Sequence, residues 1–157
     1  MNKVSIVNYE SEMALELREV YFTAIRMICV RDYTQEQVAA WAPENFDPKI
    51  YQEKMDRLKP FVAKIDSKVV GYADLQPDGL IDHFFVHGEY QAQGIAKSLM
   101  QTILKAGKNL PKLYSHVSFT AKPFYQKMGF IVERVQDVEI RGVVLQNNVM
   151  VFLNKKS

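Results

Sequence analysis

The spacing of hydrophobic residues divides this chain into a helical first part and a strand-rich remainder. Residues 4–9 alternate as in a strand, and from position 12 to about position 30 apolar residues return at helical intervals. Thr34, with Gln37 three residues later, forms a capping-box pattern that opens a second, short helix. A third helix is predicted over 49–58, so the first part of the chain should supply a helical layer.

Strands dominate after Pro60. Residues 61–65 and 69–75 flank a short polar turn and predict a hairpin, in which Gly71 marks a candidate bulge. An apolar run over 81–86 predicts a buried central strand. Further strands are predicted over 113–117, 130–138 and 143–153, and helices over 95–106, ending at Gly107, and over 121–128, ending at Gly129. This order predicts an α/β domain with a mixed sheet flanked by helices.

The central strand passes into the helix 95–106 through a short polar loop that contains Gln91, Gln93 and Gly94. The first N–H groups of a helix have no partner within the helix, and the helix dipole favours negative charge there. Such a loop is therefore a ready site for phosphate oxygens. The sequence predicts phosphate binding at this point.

Two motifs resemble those of the GCN5-related N-acetyltransferases (GNAT). Gln91-Ala92-Gln93-Gly94-Ile95-Ala96 matches the family's Q/R-x-x-G-x-G/A signature, and residues 121–130 resemble its A-x-x-F-Y-x-K-x-G-F segment. The segment D-Y-T-x-E-Q-x-x-A-W-A-P at 32–43 is similar to that of an uncharacterised bacterial subgroup of the family. Two positions depart from the common form, since Gly88 replaces a frequent Pro and Ala92 replaces a frequent Gly.

This resemblance implies one acetyltransferase domain over 1–157, with a mixed central sheet that splays where the strands 81–86 and 113–117 part. Acetyl-coenzyme A (acetyl-CoA) would be the cosubstrate, with its pantetheine arm in the splay. The implied donor-site residues are the backbones of Phe84, Phe85 and Val86 for the pantetheine, and Gln91, Ala92, Gln93, Gly94, Ile95 and Ala96 for the pyrophosphate.

Tyr125 is the candidate general acid, because the tyrosine at this place in the family lies by the thioester sulfur. A free phenol has a pKa of about 10 and carries a proton at neutral pH. The alternative is a tyrosine that packs on the cofactor or the core without proton transfer. Helical spacing predicts that Phe124 and Met128 share a buried face and that Tyr125 turns away from it. Ser118 is expected to cap the helix of Tyr125, with contact to the pantetheine as a second role.

Asp82 and His83, on the predicted central strand, are the candidate general bases. Neighbouring strand residues point to opposite faces, so at most one of them should face a given side. Histidine has the better ordinary pKa for a base at neutral pH, whereas Asp82 would need a raised pKa or a bridging water. A third alternative is that the amine loses its proton to water. His87 and His116 are further options with less support.

The helical layer is expected to form the acceptor pocket. Tyr33 and Trp41 could line it, and ordinary core packing is the alternative for both rings. The charged residues considered are Arg26, Arg31 and Asp32 for a charged acceptor, and Lys97 and Lys127 for the phosphates. The sequence names neither the acceptor nor the preferred acyl chain.

Composition limits the partners of the protein. A net charge of +2 over 157 residues gives no reason to expect nucleic-acid or membrane-surface binding. A single cysteine, Cys29, excludes an intramolecular disulfide and a cysteine-based metal site, and no metal is expected. The chain lacks a signal-peptide pattern and a long apolar run, so a cytoplasmic protein is the default expectation. A homodimer could form through an exposed final strand.

Two functions fit these observations. The first is an enzyme that transfers acetyl from acetyl-CoA to a primary amine of a small molecule or a protein. The alternative is a domain that binds acyl-coenzyme A without turnover, as a sensor or an interaction module. Both need the loop at 91–96, but only the enzyme needs an acid near the sulfur, so Tyr125 favours the enzyme.

Overall fold

The computed structural model describes residues 3–155, and it confirms a mixed α/β fold. One sheet contains β1 (Val4–Asn8), β2 (Phe61–Ile65), β3 (Lys68–Ala73) and β5 (Phe84–Val86), and the other contains β4 (Leu80–Ile81), β6 (Lys112–Val117), β7 (Ile131–Ile140) and β8 (Val143–Leu153). Each sheet has four strands, in the spatial orders β1-β2-β3-β5 and β4-β6-β8-β7. Helices flank both sheets, as the order of the elements predicted.

The prediction of one continuous central strand over 81–86 is wrong. Strand β4 pairs in parallel with β6, whereas β5 pairs antiparallel with β3 in the other sheet. Asp82 and His83 lie between the two strands and belong to neither, because the chain crosses from one sheet to the other at this point. The second edge of β5 consequently pairs with no strand among residues 3–155. This is the splay that the family resemblance implied.

The β2–β3 hairpin has the predicted irregularity beside Gly71. Ala63 pairs with Gly71, but the next residue, Lys64, pairs with Val69, so one residue of β3 is left over. A Cβ atom on Gly71 would lie 3.1 Å from a side-chain atom of Leu99. The glycine therefore lets helix α4 (Ile95–Ala106) pack closely on this sheet.

The first helical segment has the predicted span but not a uniform geometry. It begins as a 3₁₀ turn (Ser11–Met13), continues as α1 (Ala14–Thr23), widens into a π-helical turn (Ala24–Ile28) and ends in a second 3₁₀ turn (Cys29–Arg31). Gly88 packs where α1 meets the π turn, and its N–H donates to Thr23 Oγ1 at 2.9 Å. A Cβ on Gly88 would lie 2.7 Å from the Thr23 carbonyl oxygen. A proline here would lose the hydrogen bond and clash, which explains the departure from the family motif.

Two further helices lie over the splay between the sheets. Helix α2 (Gln35–Trp41) begins with the predicted capping box between Thr34 and Gln37. Helix α3 (Pro48–Leu58) begins one residue earlier than predicted, because Asp47 caps it and proline is favoured in a first turn. Together with α1, these helices bring aromatic and basic side chains over the gap between the sheets.

The two glycines predicted to end helices do so for different reasons. Gly129 follows helix α5 (Lys122–Lys127) and has a φ of +100°, the left-handed conformation that favours glycine. Gly107, after α4, has a φ of −95°. A Cβ there would lie 2.8 Å from a side-chain carbon of Leu113, so close packing rather than backbone conformation requires this glycine.

The final strand does not offer the free edge that was expected for a homodimer. Strand β8 pairs with β6 on one side and β7 on the other, so the outer strands of this sheet are β4 and β7. None of the helices within residues 3–155 has the length and apolar character of a membrane span. The same residues contain no group of histidine, cysteine or carboxylate side chains placed to hold a metal ion.

Candidate functional site

Three adjoining cavities follow the splay. The loop cavity lies against the start of α4, the slot lies between β5 and α5, and the inner pocket lies beyond the slot under α2. The loop cavity and the slot share Val86, Gln91, Ala96 and Phe124, and the slot and the inner pocket share Phe85 and Ser118. Because neighbouring cavities share lining residues, they adjoin one another in a row from the loop to the inner pocket.

The loop cavity has the features of a phosphate site. Gly94, the residue before α4, has a φ of +78°, and no side chain caps the helix, so its first N–H groups have no side-chain partner. A Cβ on Gly94 would meet nothing within 4 Å, which leaves room for a ligand against the backbone. Lys97 and Lys127 line the same cavity. The residues present therefore fit the pyrophosphate of coenzyme A.

Gln91 braces this loop with its side chain. Its Nε2 donates to the carbonyl oxygens of Val86 at 2.9 Å and His87 at 3.1 Å. These bonds tie the loop to the end of β5, so the amide is engaged within the protein. Ala92 has a φ of +62°, a conformation in which the glycine of the common family motif would be less strained.

The open edge of β5 can pair with an extended ligand. The Asp74 N–H donates to the His83 carbonyl, and the His87 N–H donates to the Val70 carbonyl, so residues 83 and 87 face β3. Alternate residues of a strand address the same neighbour, which directs residue 85 to β3 as well and leaves 84 and 86 facing the slot. The backbones of Phe84 and Val86 are thus free for amide groups. The backbone of Phe85, which the resemblance also assigned to the pantetheine, instead faces Tyr72 of β3, and Phe85 lines the slot.

Tyr125 is the buried residue of helix α5, and the prediction that it turns away from the core is wrong. It is 3% exposed, whereas Phe124 and Met128 are only half-buried. Its ring packs edge-on against Phe130, with centroids 5.0 Å apart, and it also lines the slot. Burial raises the pKa of the Tyr125 phenol well above its ordinary value, and hydrogen bonding by Ser115 partly opposes the rise. The phenol is consequently protonated at neutral pH.

Ser118 stands where the slot meets the inner pocket. Its Oγ accepts a hydrogen bond from the Ala121 N–H at 3.0 Å in the turn before α5, but α5 starts after Ala121 without a side-chain cap, so the predicted cap is wrong. Thr120, also in the slot, donates to Asp32 Oδ2 at 2.8 Å. Both hydroxyls therefore hold the segment before α5, and Ser118 also borders the junction of the two cavities.

Asp82 and His83 both line the inner pocket, and the prediction that at most one could face it is wrong. Strand alternation does not apply, because the two residues lie in the break between β4 and β5. His83 is 7% exposed, and its Nδ1 is 2.9 Å from the hydroxyl of Tyr72. Burial, aided by the charge of Lys54, lowers the pKa of His83 to about 3, so its imidazole is neutral at neutral pH.

A buried carboxyl, that of Asp74, supports the backbone of this break. Asp74 Oδ1 accepts from the His83 N–H at 2.6 Å, and its Oδ2 accepts from Gln76 Nε2 at 2.7 Å. Burial raises the pKa of Asp74 to about 6 despite these hydrogen bonds. Asp74 was not singled out in the sequence, since a lone acidic residue at the end of a strand carries no pattern.

Asp74 and His83 should give the stability of the fold opposite pH dependences. The pKa of Asp74 rises from 3.8 to about 6, so its contribution is complete below pH 3.8 and is lost as the pH rises through 6. The pKa of His83 falls from 6.5 to about 3, so its contribution is complete above pH 6.5 and is lost as the pH falls towards 3. Between roughly pH 4 and 6 the two slopes offset each other.

We expect single substitutions to reveal each slope in urea unfolding at several pH values. Relative to the unaltered protein, Asp74→Asn should add a slope of about +1.4 kcal/mol per pH unit to the free energy of unfolding between pH 4 and 6. His83→Gln should add a slope of similar size and opposite sign over the same range. If plots of the free energy of unfolding against pH are parallel for all three proteins, the shifted pKa values of Asp74 and His83 are contradicted.

The aromatic candidates line the inner pocket, but the charged candidates do not. Tyr33 and Trp41 contribute to its wall, and the Tyr33 hydroxyl donates to the Gln146 carbonyl at 2.7 Å. Arg26, Arg31 and Asp32 are absent from its lining; Arg26 Nε donates to the Ala42 carbonyl, and Arg31 lines the slot.

The cations of the inner pocket are Lys54 on α3 and Arg141 in the β7–β8 turn, neither of which the sequence indicated. No spacing rule relates these positions to the motifs. Of the other histidines, exposed His116 lines the pocket. His87 is buried elsewhere, with its Nε2 3.7 Å from a carboxylate oxygen of Glu19.

Comparisons with known proteins find a matching family model, a relative in sequence and solved structures of the same fold. The family model described as "Acetyltransferase (GNAT) domain" matches residues 29–152. The uncharacterized N-acetyltransferase YafP of Escherichia coli (strain K12) is 31% identical over 147 residues, which cover 94% of each chain. The crystal structure of a GCN5-related N-acetyltransferase from Rhodopseudomonas palustris superposes with a TM-score of 0.91 at 24% identity, over 98% of this chain and 97% of that one.

A more distant neighbour was solved with a ligand. The PaiA N-acetyltransferase from Thermoplasma acidophilum, in complex with coenzyme A, has a TM-score of 0.75 at 19% identity. The superposition covers 96% of this chain and 99% of the Thermoplasma protein. At this level of identity the likeness concerns the fold.

Proposed function

The chain belongs to the GCN5-related N-acetyltransferase family and is an acetyl-CoA-dependent N-acetyltransferase, and on that basis we propose that it acetylates a primary amine by direct attack. The amine belongs to a small molecule or a protein, and one domain over 1–157 carries the activity. The observation that carries this proposal is the row of three adjoining cavities, which runs from the loop cavity through the slot to the inner pocket. Donor and acceptor can enter it from opposite ends and meet beside Phe85 and Ser118.

The donor half of the path is assigned to the loop and the open strand edge. In this assignment the N–H groups from Gly94 to Ala96 bind the pyrophosphate, with Lys97 and Lys127 balancing its charge. The backbones of Phe84 and Val86 pair with the pantetheine amides, as an added strand would. Bound acetyl-CoA supplies an activated acetyl thioester, which these contacts direct towards the inner pocket.

Tyr125 is assigned the role of general acid. It lines the slot and is protonated at neutral pH, although its raised pKa makes it a weaker proton donor than a free phenol. The hydroxyl can donate a hydrogen bond to the sulfur as negative charge develops there, and then pass its proton to the leaving thiolate. The alternative, in which Tyr125 packs without transferring a proton, also agrees with its burial. Substitution of Tyr125 by phenylalanine distinguishes the two roles.

Asp82 is the candidate base that we favour. Its carboxylate lines the inner pocket beside His83, whose pKa of about 3 makes the imidazole a weak proton acceptor at neutral pH. We assign proton removal to Asp82, directly or through one water. Neutral His83 lines the pocket and positions the amine through a hydrogen bond.

The pH dependence of thiol release should separate these roles. Asp82→Asn should lower kcat/KM by about 100-fold and remove the acid limb of its pH profile, because the amine loses its proton acceptor. His83→Gln should lower kcat/KM without moving that limb. Asp78→Asn, an equivalent change in an exposed turn, is the control. If the limb moves only in His83→Gln, the two roles are reversed; if it moves in neither variant, the proton goes to water.

A non-catalytic sensor of acyl-coenzyme A is the second candidate function. The loop cavity and the slot suit binding alone as well as turnover. The inner pocket favours the enzyme, because a sensor needs no carboxylate and imidazole at the far end of the slot. Release of free thiol from acetyl-CoA, measured against a panel of primary amines, decides between them: amine-dependent release supports the enzyme, and binding without release supports the sensor.

A further inference from the structure

A further cavity, the cation corner, adjoins the inner pocket on the side away from the slot. It has a volume of about 420 Å³, and its basic side chains are Arg18, Lys54 and Arg141. The two cavities share Tyr21, Trp41, Lys54, His83 and Arg141. A molecule placed beside His83 can therefore extend into the cation corner.

Arg18 carries a buried charge without an anionic partner. It is 6% exposed, and its Nε is buried without a hydrogen-bond partner, while its Nη2 donates to the Pro43 carbonyl. The centroid of the Phe46 ring lies 4.2 Å from the guanidinium carbon, and the face of the ring stabilises the cation. The ion pairs found within residues 3–155 do not include Arg18, and a carbonyl oxygen and a ring do not neutralise a full charge.

Lys54 and Arg141 add to the positive charge of Arg18. Lys54 is half-buried on α3, and Arg141 Nη1 donates to the Ala40 carbonyl at 2.7 Å. Neither belongs to an ion pair among the described residues. One carboxylate, that of Asp47, lines the corner, and its Oδ1 already accepts from the N–H groups at the start of α3. Positive charge therefore exceeds negative charge around the cavity.

We propose that the cation corner binds an anionic oxygen group, a carboxylate or a phosphate, and that the acceptor amine carries this group. The statement about the acceptor rests on the proposed acetyl transfer, whereas the anion site stands independently. Guanidinium groups match the geometry of both anions, and hydrogen bonds to charged partners gain strength in a partly buried site. An acceptor held at the corner by its anion would place its amine towards Asp82 and His83.

The basic side chains of the cation corner help to hold helix α2 in place, but this role explains only part of their arrangement. Arg18 and Arg141 each bond a carbonyl at or beyond the end of α2, where basic side chains are favourable. Each bond uses one nitrogen of a guanidinium that has five N–H donors. Lys54 comes from α3 and lines both the inner pocket and the cation corner. Its substitution therefore tests the anion site with less disturbance of α2 than substitution of either arginine.

The test measures by calorimetry how tightly three small aromatic probes bind to the protein. The protein is saturated with coenzyme A beforehand, so that the loop cavity is already filled. Benzoate and phenyl phosphate carry the two anions, and benzamide is the neutral control. At least one anion should bind about tenfold or more tightly than benzamide, and the tighter one identifies the preferred group. Lys54→Gln should weaken that binding about tenfold and leave benzamide unchanged. Lys49→Gln, which removes a charge from the same helix beside a separate cavity, should have no effect.

Equal binding of anions and benzamide, or anion binding that Lys54→Gln leaves intact, would overturn the inference. Failure of the proposed acetyl transfer would give a different set of results from failure of the anion site. If no amine releases thiol while anion binding still depends on Lys54, the anion site stands and the proposed transfer falls. If neutral amines are acetylated and no anion binds, the transfer stands and the anion site falls.

Discussion

Gly94→Glu should weaken coenzyme A binding by at least about 100-fold, equivalent to roughly 3 kcal/mol. The substitution places a carboxylate at the start of α4, in the cavity assigned to the pyrophosphate, and the like charges repel in this partly enclosed space. Gly94 also has a φ of +78°, so any side chain there strains the backbone. Calorimetric titration with coenzyme A measures the loss.

Two controls separate charge at the loop from strain and instability. Gly142, in the β7–β8 turn, has a φ of +79° and open space around its Cβ, which closely matches Gly94. Gly142→Glu should bind coenzyme A normally, because that turn lies outside the loop cavity and the slot. Gly94→Ala, which adds strain without charge, should show a much smaller loss than Gly94→Glu. Unchanged affinity in Gly94→Glu would remove the pyrophosphate from this loop.

Tyr125→Phe should lower turnover by about 100-fold while coenzyme A binds with unchanged affinity. The ring fills the same space against Phe130, so the slot keeps its shape. The change removes the one group assigned to protonate the thiolate. Its effect should be greatest with acceptors for which departure of the thiolate limits the rate.

The matched control is Tyr114→Phe on β6. That hydroxyl donates to Asp78 Oδ2 at 2.6 Å on the exposed face, remote from the slot lining. It should leave turnover unchanged. Full activity in Tyr125→Phe would assign the proton to water or another residue and leave Tyr125 a packing role. A parallel loss of binding and turnover would mean that the ring position, not the hydroxyl, had been disturbed.

Local patterns were sufficient for the elements that carry the donor site. The Gln91–Ala96 loop and the glycine after α5 depend on short-range rules, namely free N–H groups at a helix start and a left-handed residue at a helix end. The capping box of α2 is also local, and it was predicted from two residues. Family motifs then related these local pieces to one another.

Features that depend on contacts between distant segments were not predictable in this way. The break at Asp82 and His83 exists because β4 and β5 join different sheets, which an apolar run cannot reveal. Tyr125 faces the core because β6 and the residues after α5 pack on that side, although helical spacing alone favoured Phe124. The three cations of the cation corner come from α1, α3 and the β7–β8 turn.

Calorimetric titration of the unaltered protein with acetyl-CoA, desulfo-coenzyme A and ATP is the decisive experiment for the donor site. We expect saturable binding of both coenzyme A compounds, because the slot holds the pantetheine as well as the phosphates, and much weaker binding of ATP, which lacks that arm. Equal binding of all three would mean that only phosphates are recognised. No binding of either coenzyme A compound would contradict the donor site.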